Sequence, residues 1–176
     1  MAVLYLHFGI ENYAMRKLIL CLLCASSLFA GCLKKETGCP PPKDIVAPLS
    51  EQQVIVDYLT ANNINATKHG SGLYYQIWQQ GSGESPNNCS SIIIHYSGLL
   101  SNGQKFDEGK NVAFTLGSLI EGWKKGLPLI QKGGKIKLYI PPTLGYGSSD
   151  IRDNNGTVVI PANSMLIFDI SLLDFQ

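Results

Sequence analysis

Aromatic side chains stand beside turn glycines where the chain reads HYSG at residues 95–98 and NGQKFD at residues 102–107. Six further short blocks, rich in aromatic, aliphatic and turn residues, follow toward the C-terminus. They are Phe114-Thr115-Leu116-Gly117, Ile120-Glu121-Gly122-Trp123, Ile140-Pro141-Pro142, Gly145-Tyr146-Gly147, Ile160-Pro161-Ala162-Asn163 and Leu166-Ile167-Phe168-Asp169. Because Gly and Pro mark turns, this part of the chain is expected to form short strands and not a helical bundle.

The residues around these blocks are rich in β-formers and alternate with a period of two, which is typical of β-strands. The pattern predicts four strands, at Leu73–Trp78, Ile92–Leu100, Lys135–Ile140 and Met165–Leu173. Between them, Leu119–Leu127 holds Ile120 and Trp123 at helical spacing, which predicts one short helix. Strands joined by turns, with one short helix, indicate an α+β domain with an antiparallel sheet.

A separate helical extension is predicted ahead of this domain, over residues 50–65, with a helix of about three turns in it. Ser50 and Gln53 have the spacing of an N-terminal capping box. One face of this helix carries Val54, Tyr58 and Ala61, with Ile55 and Leu59 beside them. The helix is expected to end in the pair Asn62-Asn63.

The N-terminal segment has the pattern of an export signal. Met15-Arg16-Lys17 is followed by an uncharged, mostly apolar run from Leu18 to Ala30, as in a secretory signal peptide. The run is shorter than the ~20 residues that a membrane-spanning helix needs, although a buried helix or a short anchor would also fit it. Glu11 and other polar residues precede this complete signal, so Met15 is expected to be the true start.

The end of the signal, Leu28-Phe29-Ala30-Gly31-Cys32, resembles the lipobox of bacterial lipoproteins. The resemblance implies that residues 1–31 are removed as a signal peptide and that Cys32 receives lipid. Residues 32–49, which contain Pro40-Pro41-Pro42, are then predicted to form an extended linker that lifts the domain off the membrane. We therefore expect a lipid-anchored protein of the bacterial cell envelope, on the periplasmic or surface side.

Charge and cysteine usage limit the partners and the compartment. The 14 Lys and Arg residues nearly balance the 13 Asp and Glu residues, so no nucleic-acid partner is expected. In an oxidising compartment Cys39 and Cys89 can pair, or they can remain two free or buried thiols. No sustained heptad pattern appears, and a monomer is expected.

The usual signatures of chemical catalysis are missing from the sequence. The histidines His7, His69 and His95 do not stand with cysteines at metal-ligand spacing, and no Gly-x-Ser-x-Gly elbow occurs. The glycines of residues 81–83 and 145–147 lack the rest of a phosphate-binding signature. We expect no cofactor and no metal, and an enzyme of this kind must work by binding a strained state.

Taken in order and at these spacings, the eight blocks closely resemble the FKBP family of peptidyl-prolyl cis–trans isomerases. The resemblance covers residues 66–176. It implies a bent antiparallel sheet wrapped around one short α-helix, with an apolar pocket between them. The predicted organisation is therefore a signal peptide, a linker, an extra helix and an FKBP-like domain.

The family resemblance also assigns the pocket residue by residue. Trp123 would form the floor, and Asp107 would lie near the substrate carbonyl. The backbone N–H of Ile120 would donate to a carbonyl that flanks the bound proline. The walls would be lined by Tyr96, Phe106, Phe114, Leu119, Tyr146 and Phe168, and Ile160 would lie in a loop over the pocket. Val112 stands where the family often has an aromatic residue, so one wall would be lower.

The activity that this resemblance implies is isomerisation of X–Pro bonds in exported proteins, with macrolide FKBP ligands as expected inhibitors. The alternative is a peptide-binding or chaperone module that has the same fold and little turnover. Two departures motivate that alternative: Val112, and a loop over residues 148–158 that is longer and more polar than in compact family members. The sequence does not identify the client proteins.

Overall fold

The computed structural model describes residues 39–176. The predicted signal peptide, the start at Met15 and the lipid-bearing Cys32 lie outside these residues. In the part of the chain that the structure describes, no helix has both the length and the apolar character needed to cross a membrane.

The described chain contains two helices, eight strands and three short 3₁₀ turns. The helices are α1 (Leu49–Ala61) and α2 (Glu121–Gly126). The strands are β1 (Thr67–Lys68), β2 (Tyr74–Gln79), β3 (Ser91–Leu100), β4 (Lys105–Thr115), β5 (Lys135–Ile140), β6 (Ile151–Arg152), β7 (Val158–Ile160) and β8 (Leu166–Phe175). The 3₁₀ turns span Leu116–Ser118, Leu127–Leu129 and Pro142–Leu144.

Six strands form one antiparallel sheet in the order β1-β2-β5-β8-β3-β4, and β6 pairs with β7 separately. The α+β architecture with an antiparallel sheet around a short helix is therefore confirmed. Of the four predicted strands, β5 has the predicted bounds, and the others differ by one or two residues at an end.

Strand β4 was not predicted from the sequence. Among residues 39–176 it lies at the edge of the sheet and pairs only with β3, and its register slips between Ile94 and Tyr96 of that neighbour. Gly109 and Asn111, which has a positive φ of 53°, lie inside it and interrupt the alternation of apolar side chains. An edge strand with an irregular register carries little of the period-two signal on which the prediction relied.

Helix α2 lies very close to the sheet because two glycines face strand β5. A Cβ atom on Gly122 would come within 2.6 Å of Ile140, and one on Gly126 within 2.6 Å of Leu138. Both strand residues are fully buried. The helix is shorter than the predicted Leu119–Leu127, since Ile120 keeps an extended backbone as the N-cap and a 3₁₀ turn follows Gly126.

Helix α1 begins at Leu49 after Pro48, with no side-chain cap, so the predicted capping by Ser50 is wrong. Gln53 donates to Asp57 within the helix instead. The predicted face is wrong in part, because Val54 is 56% exposed, whereas Ile55 and Leu59, which were placed beside that face, are buried together with Gln52.

The face of α1 is decided by what it packs on. Ile55 and Leu59 share a cluster with Tyr74, Tyr139 and Ile167, which are register neighbours on β2, β5 and β8. Leu138 and Phe168, the adjacent residues on those strands, belong to the other cluster together with Trp123 of α2. Because side chains alternate across a sheet, α1 and α2 cover its opposite faces.

The segment 39–48 was predicted to extend away from the domain, but in the structure it lies against it. Ala47 is buried, and its N–H donates to the carbonyl of Ser71 at 2.9 Å. Pro40 accepts a hydrogen bond from the side chain of Asn88, and Cys39 is joined to Cys89 by a disulfide bond. The spacer role predicted for residues 32–49 therefore does not hold over this part of the segment.

Candidate active site

A cavity of about 260 Å³ opens where α2 approaches strands β3, β4 and β8 and the loop that follows β5. It is lined by Tyr96, Asp107, Phe114, Ser118, Leu119, Ile120, Trp123, Tyr146 and Phe168. The structure thus brings together eight residues that the sequence assigned to the site. A larger groove, of about 510 Å³, lies elsewhere along the sheet and is bordered by Trp78, Lys135 and Asp169; of the residues assigned to the site, only Tyr96 borders it.

The floor of the cavity is a cluster of aromatic rings packed edge to face. The ring centroid of Trp123 lies 5.3 Å from that of Tyr96 and 5.0 Å from that of Phe168, with interplanar angles of 76° and 90°. Phe114 adds a further edge contact to Trp123 at 6.4 Å. Such contacts contribute about 0.5–1.5 kcal/mol each beyond area burial, so the floor is held rigidly.

The beginning of α2 supplies backbone donors at the rim of the cavity. Ile120 is the N-cap, and its carbonyl accepts from the N–H groups of Trp123 and Lys124. Within residues 39–176 the N–H of Ile120 itself meets no acceptor, so it is free to donate to a bound ligand. The indole Nε1 of Trp123 is also buried and, among these residues, without a partner.

Asp107 on β4 provides the negative charge of the site. Its Oδ2 accepts a hydrogen bond from the hydroxyl of Tyr96 at 2.8 Å, and its Oδ1 accepts from the N–H of Glu108. Burial, together with this hydrogen bond and the Asp107 charge, raises the pKa of Tyr96 to about 12. Burial and the same charge also raise the pKa of Tyr146. Both phenols therefore remain protonated throughout the physiological range.

Three residues assigned to the site from the sequence do not line this cavity. Phe106 lies behind the wall, where its ring packs edge to face on Phe168 at 5.5 Å. Val112 lies beside Gly109, where an added Cβ atom would come within 2.6 Å of both Val112 and Tyr96. Ile160 is 3% exposed and pairs with Ile151 in the β6–β7 hairpin, so its side chain belongs to the core.

Ser118 lines the cavity and was missed from the sequence. Its hydroxyl donates to the carbonyl of Thr115 at 2.7 Å, which closes the 3₁₀ turn before α2. A single serine in a turn carries no sequence signal that would separate it from any other turn residue. Only its place next to Leu119 and Ile120 in the folded chain brings it to the site.

Residues 82–173 match the model of the FKBP-type peptidyl-prolyl cis-trans isomerase family. The FKBP-type peptidyl-prolyl cis-trans isomerase FkpA of Buchnera aphidicola subsp. Acyrthosiphon pisum is 50% identical over 111 residues, covering 61% of this chain and 44% of that protein. The chain spans less than half the length of these FkpA relatives, of which it covers 38–44%.

Two solved structures share the fold. The crystal structure of FkpA from Escherichia coli superposes with a TM-score of 0.61 at 36% identity, covering 73% of this chain and 60% of that one. The crystal structure of AtFKBP13 gives a TM-score of 0.58 at 33% identity, over 64% of this chain and 99% of that one. The match to the family model spans more than half of the sequence. The chain therefore belongs to the FKBP-type peptidyl-prolyl cis-trans isomerase family.

Proposed function

We propose that this protein accelerates the cis–trans isomerisation of X–Pro bonds in proline-containing segments of exported proteins. The observation that carries the proposal is the aromatic floor around Trp123, which lies beside the free N–H of Ile120 and the carboxylate of Asp107. This combination can hold a proline ring and its flanking backbone without any nucleophile, metal or cofactor.

The residues act on the twisted state of the X–Pro amide. Rotation about this bond crosses a barrier of about 18–20 kcal/mol, most of which is lost amide resonance. The twisted amide is less polar than the planar amide, so a dry apolar pocket favours the transition state over the ground state. The rings of Trp123, Tyr96 and Phe168 hold the proline, and the N–H of Ile120 holds a neighbouring carbonyl. No proton changes place in this reaction.

The test is the rate of X–Pro isomerisation in a short peptide, followed by NMR exchange or a protease-coupled assay. The purified full chain is expected to accelerate exchange, and a macrolide FKBP ligand should block it. Trp123→Ala removes the ring that holds the proline and should lower kcat/KM by about tenfold or more. A loss of ~1.4 kcal/mol in transition-state stabilisation corresponds to a tenfold lower rate.

The matched control is Trp78→Ala, which removes the other tryptophan. Trp78 is 66% exposed and does not line the cavity, so this variant should keep the wild-type rate. A folded wild-type protein that binds the peptide without accelerating exchange would rule out the catalytic proposal. A peptide-binding or chaperone module would then be the better description.

We further propose that the protein is a lipoprotein of the cell envelope, anchored through lipid on Cys32. The lipobox-like sequence at residues 28–32 supports this, and so does the disulfide between Cys39 and Cys89, since disulfides persist mainly in oxidising compartments. The protein expressed in bacteria should incorporate a radiolabelled fatty acid and sediment with membranes, and Cys32→Ser should do neither. Labelling that survives in Cys32→Ser would contradict this proposal.

A further inference from the structure

We infer that Glu51 of helix α1 is a positioning residue for Tyr146 in the wall of the active-site cavity. The inference rests on the proposed isomerase function and extends it to a helix on the opposite face of the sheet. Helix α1 lies outside the residues that match the family model, which begin at 82.

Both oxygens of the Glu51 carboxylate accept hydrogen bonds from Thr143, which lies far along the chain. Oε2 accepts the backbone N–H of Thr143 at 2.9 Å, and Oε1 accepts the hydroxyl of the same residue at 2.7 Å. Both bonds are partly buried and join positions that are 92 residues apart. Hydrogen bonds to a charged acceptor are stronger than neutral ones, and two of them fix orientation as well as distance.

Thr143 lies in the turn that precedes Tyr146 and positions it in the cavity wall. The turn spans Pro142–Leu144, and Leu144 is fully buried in the core. The carbonyl of Pro142 accepts both the N–H of Gly145 and that of Gly147, at 2.9 Å each. The two residues that flank Tyr146 are therefore tied to the residue that precedes Thr143.

The backbone around Tyr146 must be restricted by contacts with other segments, because both neighbours of Tyr146 are glycines. Gly147 has a positive φ of 66°, and Gly145 also lacks the side chain that would restrict its backbone. Tyr146 is 40% exposed, so packing constrains it far less than it constrains the buried Trp123. On the far side, the carbonyl of Gly147 accepts from the N–H of Asn163. Glu51 and Asn163 thus hold the segment at its two ends.

The carboxylate itself is carried by a well-anchored helix. The neighbouring Gln52 donates from Nε2 to the carbonyl of Ala47 at 2.7 Å, and Ile55 and Leu59 are buried against the sheet. Helix α1, on one face of the sheet, therefore fixes the position of the loop that places Tyr146 in the cavity wall on the other face.

The experiment compares variants of the full chain for kcat/KM and for the ionisation of Tyr146, followed by NMR with ring-labelled tyrosine. Glu51→Ala should lower kcat/KM by about three- to tenfold, since small misplacement of a binding wall slows a positioned reaction. The pKa of Tyr146, raised in the wild type by burial and by Asp107, should move down toward its ordinary value. In the Tyr146→Ala background, Glu51→Ala should have little further effect on kcat/KM.

Two conservative variants separate positioning from charge and from folding. Glu51→Gln keeps a carbonyl for the Thr143 N–H and an amide that can donate to its hydroxyl, so it should restore nearly wild-type behaviour. Thr143→Val keeps the backbone bond and loses the other, so it should give an intermediate loss. If Glu51→Ala does not fold, Thr143→Val carries the test. Asp57→Asn is the matched control on the same helix, since Asp57 bonds only to Gln53 within the described residues, and it should behave as wild type.

The inference is overturned if Glu51→Ala leaves both kcat/KM and the Tyr146 titration unchanged, whatever its effect on melting temperature. It is also overturned if the loss in kcat/KM persists undiminished in the Tyr146→Ala background. A wild-type protein without isomerase activity would defeat the proposed function, and the Tyr146 titration would still decide whether Glu51 positions that residue.

Discussion

At the scale of single residues, Tyr96 takes part in two interactions of different kinds. Its ring packs against Trp123 and Phe168 as part of the apolar floor, while its hydroxyl donates to Asp107. The hydrogen bond orients the carboxylate and keeps one polar partner for it at the rim. A single side chain therefore joins the apolar and polar halves of the site.

The hydroxyl of Tyr96 should make stability depend on alkaline pH. The pKa is about 12 in the folded protein and ~10 in an unfolded chain, so folding favours the protonated phenol. The stabilisation from the protonated Tyr96 phenol is complete below about pH 10 and is lost as the pH rises through the pKa of the folded protein. The difference in unfolding free energy between wild type and Tyr96→Phe, measured in urea at several pH values, should shrink above pH 10. A difference that is constant from pH 7 to pH 11.5 would contradict the expectation.

At the scale of elements, the spacing between α2 and β5 determines where the floor of the site lies. Gly122 and Gly126 stand four residues apart, and their partners Ile140 and Leu138 stand two apart on the strand. Without side chains on that helix face, the backbone approaches the sheet and carries Trp123 into the cluster of rings. Larger residues at either glycine would lift the helix and the pocket floor together.

Gly126→Ala should therefore destabilise the protein although alanine is the better helix former. The new methyl group would lie 2.6 Å from a terminal methyl of Leu138, which is fully buried in the core. We expect overpacking to cost about 1–3 kcal/mol, more than the ~1 kcal/mol that helix propensity returns. Chemical denaturation measures the change.

Gly70→Ala is the control for that substitution, because a Cβ atom there has no neighbour within 4 Å and its φ is not positive. It should leave stability unchanged or raise it by up to ~1 kcal/mol through a less flexible unfolded chain. Equal effects of the two substitutions would show that the close approach of α2 is not what Gly126 provides.

At the scale of the whole molecule, the FKBP-type domain is joined at separate points to residues 39–61, which lie outside the family match. The disulfide joins Cys39 to Cys89, and the hydrogen bonds of Glu51 reach Thr143. Lys125 of α2 also donates to the carbonyl of Lys43 at 2.6 Å. The segment 39–61 is therefore part of the folded unit.

Removing the disulfide should lower the stability of the whole unit. The bond closes a loop between positions 50 residues apart, and bonds of this kind contribute about 2–4 kcal/mol, mainly by restricting the unfolded chain. Cys39→Ser combined with Cys89→Ser should shift the denaturation midpoint of the full chain accordingly. An unchanged midpoint would mean that the packing of residues 40–48 alone holds the segment in place.

The periodicity of apolar residues and the positions of turn residues were sufficient to predict much of the sheet and the location of the short helix. Strand β5 alternates Lys and apolar residues over 135–138, and its predicted bounds agree with the structure. Strand β4 and the packed face of α1 did not follow, because an irregular edge strand and a helix with apolar residues on several faces carry ambiguous periodicity.

The sequence by itself determined the fold class, the family and the types of residue that form the cavity, because these depend on order, spacing and chemical character along the chain. Only the tertiary structure decided that Phe106, Val112 and Ile160 lie outside the cavity lining while Ser118 lies within it. It also decided that Glu51 meets Thr143. A wall residue and its neighbour behind the wall have the same apolar character in sequence, and contacts between positions 92 residues apart exist only once the sheet has brought them together.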